Sequence, residues 1–216
     1  MFGQNCFCDK DTLLKELIHC DVTTFDNKAK IYWNFNCDSS WLTFERPTRE
    51  KIVIFSLSDG LQNMTGRLDF TYAQEYKSTF LIRNFVISGC CDPPEYYLFD
   101  KTNAQIRDSL GCILFYGESK KLPFIIGFTG SKYAINDYRT VSIYNVNTRK
   151  KYIIKLLKGD INKALEATDT MFPENLFDEP IVKGTKVYLT YLLNKSKSQK
   201  IRKTRTLIID LNKYSH

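Results

Sequence analysis

The sequence predicts an all-β fold: an antiparallel β-meander, propeller-like or closed as a twisted sandwich or open barrel, with a short N-terminal helix. Three observations carry this. Roughly a dozen short segments alternate apolar and polar residues with period two, the pattern of half-buried strands. Polar turns rich in Asp, Asn, Ser and Gly separate them. Helical spacing is confined to two places.

The first is near the start, where Asp11 or Thr12 can cap a helix whose Leu13, Leu14, Leu17 and Ile18 share one face. His19 falls in its last turn, where the carbonyl end of a helix favours a histidine. Strands follow at residues 29–36, with Ile31, Trp33 and Phe35 on one face, and at 41–44 and 51–57. The series continues at 67–72, 79–88, 95–100, 112–116, 124–128, 140–146 and 151–157. The second helical stretch is 160–169, capped by Asp160, followed by a loop over 171–180 anchored by Phe172, Leu176 and Phe177. The last pair of strands is 186–193 and 206–211. No Gly/Ser or Pro-rich linker interrupts the chain. Residues 1–26 are therefore read as a helical appendage and 27–216 as a single β-meander domain.

A weak repeat supports the meander. Leu98-Phe99-Asp100-Lys101-Thr102-Asn103 resembles Ile143-Tyr144-Asn145-Val146-Asn147-Thr148, an offset of 45 residues. Steps of the same length reach Ile54-Phe55 and Leu189. Such a period is the length of a four-stranded propeller blade.

Composition excludes several classes. Hydrophobic residues are 43% and charged residues 25% of 216, which rules out a wholly disordered or fibrous chain. No apolar run is long enough for a membrane-spanning helix. Two histidines, His19 and His216, leave little material for a histidine metal site or a catalytic dyad. No Gly-x-Ser-x-Gly elbow occurs, and Gly127-Phe128-Thr129-Gly130-Ser131-Lys132 lacks the order of a phosphate loop.

The net charge of +7 is concentrated at one end. From Lys183 onward nine Lys or Arg face a single acid, Asp210, while the preceding residues nearly balance. The densest part contains Lys200, Arg202, Lys203 and Arg205. No aromatic lies between Tyr191 and Tyr214 to stack on bases, so a solvated hairpin loop without specific nucleic-acid contact is expected.

Seven cysteines, Cys6, Cys8, Cys20, Cys37, Cys90, Cys91 and Cys112, match no zinc spacing, and no metal or cofactor is expected. Their density suits an oxidising compartment. The start, Phe2-Gly3-Gln4-Asn5-Cys6, resembles the residues just past a removed secretory signal. The expectation is a secreted or periplasmic protein with at least one disulfide, pairing Cys20 with Cys37, or Cys90 or Cys91 with Cys112.

The most unusual local run is Ser88-Gly89-Cys90-Cys91-Asp92-Pro93-Pro94-Glu95-Tyr96-Tyr97. Prolines stiffen it and two carboxylates precede two tyrosines, one of which must turn outward in a strand. Asp92, Glu95, Tyr96 and Tyr97 are the candidate ligand-binding residues. No catalytic set is visible. The functional expectation is a non-enzymatic, extracytoplasmic binding or structural protein with a protein or glycan partner. A carboxylate-based glycan hydrolase and an inhibitor or immunity-type protein are the alternatives.

Overall fold

The computed structural model describes residues 6–9, 14–58, 68–86, 94–118, 122–128, 140–155, 173–194 and 203–215. The expected helix at 160–169, the corner at Cys90, Cys91 and Asp92, and Lys200 and Arg202 lie outside them.

Fifteen antiparallel strands are described, and each sheet is built from consecutive strands. The first contains β1 (Thr23–Thr24), β2 (Lys30–Phe35), β3 (Ser39–Glu45) and β4 (Lys51–Ser58). The second contains β5 (Leu68–Glu75), β6 (Thr79–Val86), β7 (Glu95–Asp100) and β8 (Ile106–Gly111). The third contains β9 (Ile113–Tyr116), β10 (Phe124–Phe128), β11 (Thr140–Asn145) and β12 (Lys151–Lys155). The fourth contains β13 (Ile181–Lys183), β14 (Lys186–Asn194) and β15 (Lys203–Asp210).

The predicted class therefore needs correction. The fold is all-β, with four antiparallel sheets of consecutive strands among the described residues, and the expected N-terminal helix is not formed beyond one turn. Among its described residues the N-terminal segment holds a single helical turn, Leu14–Leu17, closed by a backbone hydrogen bond from Ile18 N to Leu14 O. One turn is too short to be stable by itself. His19 lies beyond it, exposed.

Two compact units divide the chain, Met1–Ser109 and Leu110–His216. In the first, the facing sides of two sheets meet in an aromatic core. Phe25 stacks on Phe80 at 4.8 Å, Phe80 on Phe44 and Phe99, and Phe55 on Phe70 at 4.2 Å. Ile31, Leu42 and Ile82 complete it. On β2, Ile31 lies in this core with Trp33 packed against it, whereas Phe35, expected on the same face, packs with Cys8 and Leu14 instead. In the second unit Phe124, Ile126, Phe128, Val141 and Ile143 pack with Leu176, Val187, Leu189, Tyr191 and Ile209. Leu176 and Phe177 of the expected anchoring loop join this core from a 3-10 turn, Pro173–Leu176.

The repeat is real but not periodic. Asp100 and Asn145 both end the third strand of their sheets. Asp100 Oδ1 accepts from Thr102 N at 2.6 Å, and Asn145 Oδ1 from Asn147 N at 3.0 Å. Asp210 ends the third strand of the fourth sheet and accepts from Asn212 N at 3.2 Å. A constant step fails because connection lengths differ: Ile54 and Phe55 fall in the fourth strand of their sheet, Leu189 in the second of its own.

A buried ion pair links the first two sheets. Lys101, 3% exposed, reaches Glu75 Oε1 at 2.6 Å, with Asp26 at 4.0 Å. Asn27 donates to Lys101 O at 2.9 Å, and Glu75 also accepts from Asp26 N at 3.0 Å. Three hairpin ends, from β1–β2, β5–β6 and β7–β8, thus share one charged knot.

Candidate ligand cleft

The first unit contains a cleft of about 140 Å³ beside the N-terminal segment. Its floor is apolar: Ile31 and Leu42 are buried neighbours in the two-sheet core. Trp33 and Tyr72 supply aromatic surface, and Thr23 and Thr71 supply hydroxyls. His19 and Asp21, both exposed, complete the rim, and Tyr32 also lines it.

Trp33 is fixed from two sides. Its Nε1 donates to Phe70 O at 3.1 Å, and its ring meets Phe55 edge-on at 6.1 Å. Tyr72 is 38% exposed although the alternation of Leu68, Phe70 and Tyr72 reads as one inward face. A register shift between Tyr72 and Gln74 re-aims the strand there, as bulges do. Tyr32 donates to Glu45 Oε2 at 2.7 Å. Burial and that carboxylate push the Tyr32 phenol well above its ordinary range, so it stays a neutral donor.

Two disulfides hold the rim. Cys6 bonds Cys20, between His19 and Asp21, and Cys8 bonds Cys37 in the β2–β3 turn. The expected pairing is corrected: Cys20 and Cys37 are half-cystines, but not of each other. Cys6 bridges Phe35 by backbone pairing, which brings the N-terminal segment alongside β2 and sets both partners. Cys112 is buried, and its expected partners Cys90 and Cys91 lie outside the described residues. Cross-links of these separations, 14 and 29 residues, restrict the unfolded chain. Each is worth about 3–4 kcal/mol on the loop-entropy account. Among the described residues this segment has a small core: Cys8, Leu14 and Phe35, with Ile18, Cys6, Cys20 and Cys37 packed around them.

Cys8, Asp9 and Cys37 place three ligand-type atoms within 4.8 Å. Bonded to one another, the two sulfurs offer no thiolate, so the oxidised protein has no metal centre at this point.

The residues singled out from sequence lie elsewhere. Tyr96 is buried, and Tyr97 is half-buried, stacked on Phe70 at 5.9 Å and donating to Glu95 Oε2 at 2.8 Å. Neither ring is an exposed surface aromatic. Lys203 opens β15, and Arg205 is exposed opposite Tyr191. The cleft itself was not legible, because His19 and Asp21 meet Tyr72 only through the disulfides and the pairing of two sheets. No family model matches the chain, and no curated protein is significantly similar to it.

Proposed function

We propose that this is a non-enzymatic, extracytoplasmic binding protein, secreted or periplasmic, whose cleft at His19, Asp21, Trp33 and Tyr72 takes one sugar unit of a glycan. The observation that carries the reading is the union of fixed aromatic surface with exposed polar groups over an apolar floor. A sugar ring offers the matching chemistry, with C–H faces for Trp33 and Tyr72 and hydroxyls for Asp21, His19, Thr23 and Thr71.

Size narrows the ligand. About 140 Å³ is well below the roughly 300–1,000 Å³ of pockets that enclose drug-sized molecules. One ring enters; the rest of the glycan remains outside. Affinity per site is then weak, and tight attachment needs several sites on one polymer.

Among the described residues lining the cleft, Asp21 is the one carboxylate. Two-carboxylate hydrolysis needs a second at about 5–9 Å, which favours binding over turnover. The two disulfides support an oxidising compartment. A glycan microarray probed with the oxidised protein tests the reading. Binding lost in Tyr72→Ala and Asp21→Ala supports it; binding that both variants retain counts against this cleft.

A further inference from the structure

We infer that the cleft is under redox control: reducing Cys6–Cys20 and Cys8–Cys37 releases the rim bearing His19 and Asp21 while the sheets stay folded. This rests on the reading of the cleft as the binding site, but the structural event can be measured without any ligand.

The rim and the floor are held by different forces. Ile31, Trp33 and Leu42 belong to strands paired on both sides and packed in the aromatic core. Sheet pairing of the first strand begins only at Thr23. Among its described residues the preceding segment shows a single helical turn, the bridge between Cys6 and Phe35, and a bond from Phe7 N to Phe35 O at 3.3 Å. Among the described residues, four of the seven in its apolar cluster are the cysteines themselves. Without the cross-links, few apolar contacts remain to offset the entropy of ordering this stretch.

The bonds are also within reach. Cys6, Cys20 and Cys37 are only half-buried, so each disulfide presents a sulfur residue at the surface. A thiolate of a dithiol reductant attacks Cys37 Sγ, and Cys8 leaves as thiolate. The reductant's second thiol then displaces Cys37 and closes its own disulfide. Two electrons pass per bond, four for both, and each protein sulfur ends as a thiol after taking a proton from solvent.

The test is hydrogen–deuterium exchange on the folded protein with and without dithiothreitol, in the presence of a chelator so that freed thiolates bind no metal. Exchange across residues 14–22 should rise by roughly tenfold or more, while β2, β3, β5 and β6 keep their protection. The Cys6→Ser, Cys8→Ser, Cys20→Ser, Cys37→Ser variant should give the same pattern without reductant. Unchanged protection at 14–22 overturns the inference. So does loss of protection in all four strands, which would make the bonds supports of the whole unit. Array binding is then read before and after reduction. If the oxidised protein binds no glycan, the ligand reading fails while the exchange result stands by itself.

Discussion

Arg49, Lys28, Ala104 and Arg149 each sit at positive φ, between 55° and 70°. In each case the residue closes a hairpin turn. Lys28 N donates to Phe25 O and Arg49 N to Arg46 O; Ala104 N and Arg149 N donate to Asp100 O and Asn145 O. Left-handed backbone costs an L-residue about 1–2 kcal/mol, and glycine none of this. Arg49 is exposed, so Arg49→Gly loses little packing. After the entropy cost of glycine, a gain of up to about 1 kcal/mol is expected in denaturant unfolding. The same residues explain a gap in the sequence reading. The sequence reading places turns at runs rich in Asp, Asn, Ser and Gly; these turns put Arg, Lys and Ala at the left-handed position, and β8, which follows Ala104, went unpredicted.

Glu174 is a second residue-scale case. Both carboxylate oxygens are shut off from solvent without a hydrogen bond of good geometry. Burial raises its proton affinity, only partly offset by its own backbone N–H and the Cys112 thiol. The folded state therefore favours the protonated acid. The stability this supplies is complete at pH below the ordinary carboxylate range and is lost as pH rises through the folded value. Glu174→Gln removes the ionisation, so its melting temperature should exceed that of the parent at pH 7 and match it near pH 4.

At the scale of elements, most strands were legible, the edge strands β4, β5, β9 and β12 among them, and the two shortest were not. β7 and β10 coincide with the predicted 95–100 and 124–128 because their alternation or apolar runs are bounded by turns. β1 and β13 have two and three residues, too few for any period to register. The N-terminal helix was overpredicted because Leu13, Leu14, Leu17 and Ile18 carry helical spacing, yet the disulfides set the path of that segment. Tertiary constraint overrode local propensity there.

The knot of Glu75, Lys101 and Asp26 makes an element-scale prediction. Glu75→Ala leaves the Lys101 ammonium buried, with Asp26 at 4.0 Å as its remaining carboxylate partner among the described residues. Loss of one partner of a buried pair costs about 3–5 kcal/mol. Calorimetry should show the first unit melting earlier, and adding Lys101→Met to the same chain should recover much of the loss. If Glu75→Ala melts with the parent, the knot does not hold these hairpin ends together.

For the molecule as a whole, among the described residues no helix is long and apolar enough to cross a membrane. The two disulfides accord with an oxidising surround. Disulfide bonding and all-β class were legible from cysteine density and period two. The cleft was not, because it depends on which cysteines pair and on a bulge at Tyr72. Asp21→Ala and Tyr72→Ala change exposed side chains and should leave melting temperature within a few degrees of the parent.

The central claim is that a glycan unit seats against Trp33 and Tyr72. It is tested most directly by NMR titration of the oxidised, isotope-labelled protein with the glycans that bind on the array. Saturable shifts are predicted at the Trp33 indole N–H and at the amides of Asp21, Thr71 and Tyr72, and they should vanish in Tyr72→Ala. Saturable shifts confined to residues outside this set, with Trp33 unmoved, would contradict the account.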